Sequence, residues 1–332
     1  MQGRFVLKYL WRSGSLTRLP LIARGYHRLA IMKRVLSVSL GSSRRDKDVE
    51  VEFLGERFHL SRQGTDGSLE KAREMISARD GEVDAFGLGG IDLYLWTLKK
   101  RYTIQDALKL KRAAKKTPVL DGSFLKHTLE RRVVRKLSRQ DGMLSKGTKV
   151  LMVSGVDRIG MAEALHNLGA ELVFGDLMFG LGINIPLKSL KAINNAGNLL
   201  CPIVTRLPFK LVYPTGEKQT KSGNPAYHRW FEWADWIAGD FHYIKRFRPQ
   251  DMTGKTILTN TTTEEDEAEL KQDGLKRLIT STPVLEGRSF GTNLMEAMIV
   301  ALKGATEDQY SPEFFESALN ELDFEPAVRG LN

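Results

Sequence analysis

The chain has 332 residues, 42% hydrophobic and 27% charged, with a single cysteine and six histidines. Its length suits two cores of roughly 110–190 residues. One cysteine excludes an intramolecular disulfide framework, and histidines without H-x3-H or H-E-x-x-H spacing predict no metal site.

The formal net charge of +10 is a property of one end. Residues 1–45 carry ten Lys or Arg and no acid, so the remainder holds 40 basic and 40 acidic side chains. The body is electrically neutral, and with no aromatic stacking motif beside the basic residues no nucleic-acid partner is expected. Residues 1–31, which include Phe5, Leu7, Leu10 and Trp11, read in two ways. They are a targeting or membrane-surface segment, or a non-native extension ahead of Met32. No apolar run approaches the ~20 residues that span a bilayer, so no integral membrane segment is expected and the body is assigned to the cytoplasm.

From Met32 the chain alternates short β runs with helical stretches. Residues 34–40 (RVLSVSL) form a strand, 49–62 a hairpin about Gly55, and 68–78 a helix capped by Ser68. Residues 83–87 are a buried strand before Gly87-Leu88-Gly89-Gly90, and 91–96 continue as an apolar run. Residues 104–116 are a basic amphipathic helix, 117–121 a short strand and 124–137 a helix of mixed charge. The polar tract 138–148 separates a smaller α/β substrate domain (32–140) from a second domain (148–332). In the second domain strands are expected at 150–154, 171–175, 201–206, 236–243, 256–259 and 277–280. Helices are expected at 161–168, 187–195, 227–234, 264–272 and 289–303. The fold class is therefore α/β, two α/β domains of which the second is a Rossmann-like doubly wound parallel sheet.

Residues 149–176 (KVLMVSGVDRIGMAEALHNLGAELVFGD) carry the most information. Strand, glycine turn, helix, strand and terminal acid outline a dinucleotide-binding βαβ unit. Gly155 and Gly160 occupy the outer places of G-x-G-x-x-G, but Asp157 holds the middle one. Arg158 is positioned to meet phosphates, the helix start favours an anion, and Asp176 lies where an acid binds a ribose hydroxyl. An ordinary strand, turn and helix without a ligand is the alternative.

Ligands of parallel sheets bind beyond the carboxyl ends of the strands. In the second half those positions hold Thr205-Arg206, Gly239-Asp240, Asn260-Thr261 and residues 280–283, then a cluster at 287–293 opening the last helix. In the first half they hold Ser37, Ser39, Ser42, Ser43, residues 87–92, and Asp121 with Lys126. A lysine beside an aspartate can pass a proton to or from a hydroxyl, although a solvated ion pair is its commoner role. The irregular tract 205–220, with Trp230, Trp233 and Trp236, is a candidate lid, with core packing the alternative for those tryptophans.

The stretches VLSVSLGSSRRDK, VDAFGLGGIDLYL and VLMVSGVDRIGMAEAL, and the order of the two halves, resemble the shikimate/quinate dehydrogenase family, including proteins labelled quinate 5-dehydrogenase. The resemblance implies NAD(P)-dependent hydride transfer at a ring hydroxyl, with Ser37 and Ser39 binding the substrate carboxylate and Lys126 in the position of the family lysine. The chain departs from the family in lacking the Asn-Val-Thr-x-Pro-x-Lys context of that lysine and in carrying Asp157. The expected function is thus an oxidoreductase moving a hydride between a nicotinamide cofactor and a small hydroxylated carboxylic acid. Lys126 and Asp121 are the catalytic pair. Gly155, Asp157, Arg158, Gly160, Asp176 and Thr205 bind the cofactor, with Asp176 favouring NAD over NADP. The alternative is a non-catalytic Rossmann-like binding or regulatory protein for a nucleotide or other anionic ligand, and less favoured is a transferase. The partners expected are a small anionic substrate and, as an option, a second copy in a homodimer.

Overall fold

The computed structural model describes residues 32–139, 142–212, 224–282, 284–285, 288–289 and 291–332. The basic leader, part of the candidate lid (213–220), and Gly287 and Phe290 of the 287–293 cluster lie outside the described residues. The chain has a mixed α/β fold built on two largely parallel sheets.

The first half contributes β1 (Lys33–Ser39), β2 (Lys47–Phe53), β3 (Glu56–Gly64), α1 (Leu69–Ala78), β4 (Ala85–Gly89), β5 (Tyr94–Trp96), β6 (Arg101–Thr103), α2 (Gln105–Lys111), β7 (Val119–Leu120) and α3 (Ser123–Arg139). Its five-stranded sheet runs β2-β3-β1-β4-β7, with only β2 antiparallel to its neighbour. The expected hairpin is β2–β3, turning at Leu54 and Gly55, both at positive φ as a tight turn between twisted strands requires. β5 and β6 form a separate small hairpin, and the Ser68 hydroxyl caps α1 by accepting from the Lys71 N–H.

The second half contributes β8 (Lys149–Met152), α4 (Ile159–Leu168), β9 (Glu171–Phe174), α5 (Leu190–Val204), α6 (Phe209–Val212), α7 (His228–Trp233), β10 (Trp236–Ala238), α8 (Phe241–Phe247), β11 (Thr256–Thr259), α9 (Glu264–Gln272), β12 (Arg277–Thr280), β13 (Val284–Leu285), β14 (Arg288–Ser289), α10 (Thr292–Lys303), α11 (Pro312–Glu321) and β15 (Ala327–Gly330). Its six-stranded sheet runs β15-β12-β11-β10-β8-β9, parallel except for the edge strand β15. β8 lies between β9 and β10, so the connections leaving β8 and β9 diverge, the arrangement that in parallel sheets marks the ligand crevice at the strand ends.

Three expected elements differ. Residues 201–206 are not a strand: they end α5, which runs through Pro202. That helix is apolar on more than one side, so its run LLCPIV imitates a buried strand. The strand expected at 236–243 stops at Ala238, because Asp240 caps α8 by accepting from the His242 N–H. The last helix starts at Thr292, and α11 and β15 follow it.

The strands are covered on both faces. In β1, Val35 enters a core shared with the second sheet, while Leu36 and Val38 face α1 and α2. In β8, Val150 and Met152 join the shared core, while Leu151 packs with α7, α8 and α9. The shared core contains side chains from α3, α4, α10 and α11. Trp236 is buried in it, and Trp230 and Trp233 pack on the outer core of the second half. Among the described residues no helix is long and apolar enough to cross a membrane.

α10 belongs to the second half of the chain but packs against β1, β4 and β7 of the first sheet. Its approach requires a glycine: Gly122 has φ +88°, and a Cβ there would stand 2.5 Å from the Asn293 nitrogen. From α10, the buried Glu296 carboxylate accepts the Leu125 N–H at 2.7 Å and the Gly122 N–H at 3.3 Å, capping the start of α3. Burial, helped by Asp121, pushes Glu296 up to about 8, against the pull of those two N–H groups.

Gly122→Ala should cost about 2–4 kcal/mol in denaturant unfolding, through both the left-handed backbone and the clash with α10. A loss under about 0.5 kcal/mol would contradict this contact. The folded state also holds the Glu296 proton more tightly than the unfolded chain, whose glutamate titrates near 4.5. That contribution to stability is complete below pH 4.5 and is lost as pH rises through about 8. Across that window Glu296→Gln should therefore lose stability less steeply than the wild type, and identical slopes would count against the assignment.

Candidate functional site

The crevice beside β8 is lined by residues that follow the strands of both sheets. The turn after β8 supplies Gly155, Val156, Asp157 and Arg158; Asp176 follows β9, Asp240 follows β10 and Asn260 follows β11. From the first half come Asp92, beyond β4, and Lys126 and Glu130 on α3.

The Gly155 and Val156 N–H groups form a concave anion receptor, and it is filled by the chain itself. Asp176 Oδ2 accepts the Gly155 N–H at 2.9 Å and its Oδ1 accepts the Val156 N–H at 2.8 Å. Gly155 is needed because a Cβ would stand 2.6 Å from the Phe174 ring. Burial pushes Asp176 up to about 6, with the two N–H groups resisting. Asp176 is also the first residue of a π-helical turn, Asp176–Gly180, a local irregularity common at functional sites. Sequence spacing assigns this acid to a ribose, but the geometry gives it the two donors that a pyrophosphate would take.

Asp157 reaches across the crevice. Its Oδ1 lies 2.5 Å from Lys126 Nζ, and Asp92 Oδ1 lies 3.5 Å from the same ammonium. Burial pulls the Lys126 ammonium down, but Asp157 and Asp92 more than reverse it and hold the group above the ordinary lysine range. Asp157 is driven the opposite way: burial raises it, and Lys126 and Arg158 bring it below the usual carboxylate range. Lys126 is consequently a fixed cation and donor. Its partners are Asp157 and Asp92 rather than Asp121. The Asp121 carboxylate accepts from the N–H groups of Leu93 (2.6 Å), Tyr94 (3.1 Å) and Ser123 (3.1 Å), joining β5 to the start of α3.

Arg158 extends the network inward. It pairs with the buried Glu130 through Nη1, lies 3.4 Å from Asp240 through Nη2 and 3.8 Å from Asp157 through Nε. Burial pulls Arg158 down and the three acids restore and exceed its ordinary basicity, Glu130 foremost. Asp240 also accepts from the Asn260 amide at 3.0 Å. Four carboxylates thus surround two cations, Asp92, Glu130, Asp157 and Asp240 about Lys126 and Arg158, and Asp176 adds a further acid close to Asp157. A pyrophosphate entering this arrangement would meet a filled receptor, an arginine committed to acids and an excess of negative charge. The residues do not fit a dinucleotide in this conformation.

The other expected site residues are dispersed. A Cβ on Gly160 would stand 2.8 Å from the His127 carbonyl oxygen, so this glycine serves the close approach of α3 and α4. Burial and the charges of Lys126 and Arg131 lower His127 to about 3, leaving it neutral. The Thr205 hydroxyl donates to the Cys201 carbonyl at 2.7 Å, and the Thr205 carbonyl accepts the Gln105 N–H at 2.9 Å. Ser37 accepts from the Asn293 amide at 3.1 Å, while Ser39 accepts from Arg62 at 2.9 Å and from the Gly41 N–H at 3.1 Å. Both serines are buried at the β1–β4 end, where Gly87 and Gly89 leave room for Asn293 and Ser39. Sequence reasoning missed Glu130, a buried acid within a helix whose charges read as solvated, and Asp92 as the second acid on Lys126.

Two family models lie end to end on the chain: a domain of unknown function (DUF8753) matches residues 34–121, and a domain of unknown function (DUF8754) matches residues 124–331. No curated protein matches the chain. Similar solved structures include L-tryptophan dehydrogenase from Nostoc punctiforme (11% identity, covering 88% of this chain and 79% of that one, TM-score 0.35). They also include the substrate-binding protein of a sugar ABC transport system from Bordetella parapertussis 12822 (11% identity, 83% and 82% covered, TM-score 0.34). A third is GanP, a glucose-galactose binding protein from Geobacillus stearothermophilus (9% identity, 90% and 98% covered, TM-score 0.34). Scores this low carry no functional argument. With residues 124–331 matched, the chain belongs to the family of the domain of unknown function DUF8754.

Proposed function

We propose that this protein is a non-catalytic binding or regulatory protein whose Rossmann-like second half and smaller first half share one small-molecule site, and that its ligand is rich in hydroxyl groups. The single observation that carries this reading is the bridge from Lys126 Nζ to Asp157 (2.5 Å) and Asp92 (3.5 Å), each acid side chain about a quarter exposed at the crevice. Carboxylates accept from hydroxyls, and a charged lysine donates to their oxygens. Asp240 and Asn260 extend the same alternation of acceptor and donor. A lysine held above its ordinary range is a poor general base near neutral pH, which favours binding over proton transfer.

The second reading is an NAD(P)-linked oxidoreductase acting on a hydroxylated carboxylic acid. It is favoured by the βαβ unit at 149–176 and by Asp176 at the place of a ribose-binding acid. It requires Asp176 to leave the Gly155 and Val156 N–H groups before a pyrophosphate can approach.

Thermal unfolding of the full chain with myo-inositol, an uncharged polyol, or with NADH separates the two. A saturating hydroxylated ligand should stabilise the protein by about 2–3 kcal/mol at 100-fold excess over Kd, and millimolar NADH should leave the transition unmoved. Stabilisation by NADH alone would overturn the binding reading in favour of the oxidoreductase. Asp92→Asn should weaken the hydroxylated ligand about tenfold while changing stability by under about 1 kcal/mol, because this acid is partly exposed. Unchanged affinity in that variant would remove Asp92 from the site.

A further inference from the structure

Of nine large apolar side chains exposed among the described residues, seven fall between residues 181 and 211. Leu199 is 71% exposed, Ile203 59% and Leu211 74%, with Leu207 continuing the stripe. A water-facing helix side is ordinarily polar, so this concentration needs a partner. α5 is not free to turn the stripe inward. Its opposite side buries Ile193, Gly197 and Cys201 at every fourth residue. Asn194 accepts the Leu98 N–H at 2.9 Å, and Asn198 accepts from Thr97 and Tyr102, each at 3.0 Å. A Cβ on Gly197 would stand 3.0 Å from the Thr97 methyl group.

Within the segment that carries the stripe, charge has one sign. Residues 177–212 contain no acid and four basic residues, of which Lys188, Lys191 and Arg206 are exposed. A second copy docked on this face about a two-fold axis would bring these cations together with no acid from the same segment to answer them. An anionic lipid surface answers both properties, accepting the leucines and isoleucine at the headgroup–acyl boundary and the cations at its phosphates. We propose that the outer face of α5 and the turn after it form a peripheral docking surface for an anionic bilayer. Leu199, Ile203, Leu207 and Leu211 enter the interface, and Lys188, Lys191 and Arg206 pair with headgroups. The surface stands independently of the ligand in the crevice.

The test is cosedimentation of the full chain with vesicles of phosphatidylcholine alone and with one-third phosphatidylglycerol. The wild type should bind the anionic vesicles, less strongly as salt rises, and leave the neutral ones free. The double variant Leu199→Asp, Ile203→Asp should retain the wild-type melting transition and bind the anionic vesicles at least about tenfold more weakly. Undiminished binding by the variant would assign any attraction to basic residues elsewhere and overturn the proposal. Failure of the wild type to bind would do the same. So would a wild-type dimer, seen by light scattering, that the variant dissociates, since the face would then belong to a second copy.

Discussion

The Arg158–Glu130 ion pair is the constraint around which the crevice is organised. Both side chains are almost wholly buried, one on the turn after β8 and the other on α3. Charges removed from water are tolerated only when paired and oriented. The turn, α3 and the Asp240 cap of α8 are therefore fixed relative to one another. Lys126 lies one helical turn before Glu130 and projects toward the same β8 turn, where Asp157 and Asp92 meet it. Gly160 allows the close α3–α4 approach that brings these groups together.

This network gives the glycine turn a different chemical character from its outline. The motif does form an anion receptor, but the receptor binds Asp176 of the same chain. Asp157, the residue that departs from the expected spacing, is a ligand of Lys126 rather than an obstacle in an otherwise conventional phosphate site. With these assignments the turn presents paired carboxylates where a phosphate site would present free N–H donors. α5 connects this site to the exterior: Gly197 lies against Val156 of the turn, while Leu199 and Ile203 face outward from the same helix.

Much of the fold was legible because local chemistry and tertiary environment agree. Gly55 marks the β2–β3 turn, Ser68 caps α1, and the βαβ pattern at 149–176 becomes β8, α4 and β9. α5 was misread because burial on one side and exposed apolar residues on the other erase helical contrast, and Pro202 looks like a break. β15, with the sequence AVRG, has neither the length nor the apolar run to announce a strand; its pairing with β12 creates it. At the site, sequence identified Lys126, Asp157, Arg158 and Asp176 individually, but not who pairs with whom. Asp121 is five residues from Lys126 along the chain and nevertheless turns to the β5 backbone, because its carboxylate caps the start of α3.

A double-mutant cycle on Arg158→Met and Glu130→Leu tests the central interaction most directly. Each single variant takes from one buried charge its nearest partner and should lose about 3–5 kcal/mol in equilibrium unfolding. The double variant should be more stable than either single, with a coupling energy of at least about 2 kcal/mol. Additive losses, with coupling below about 0.5 kcal/mol, would show that the pair does not organise the crevice.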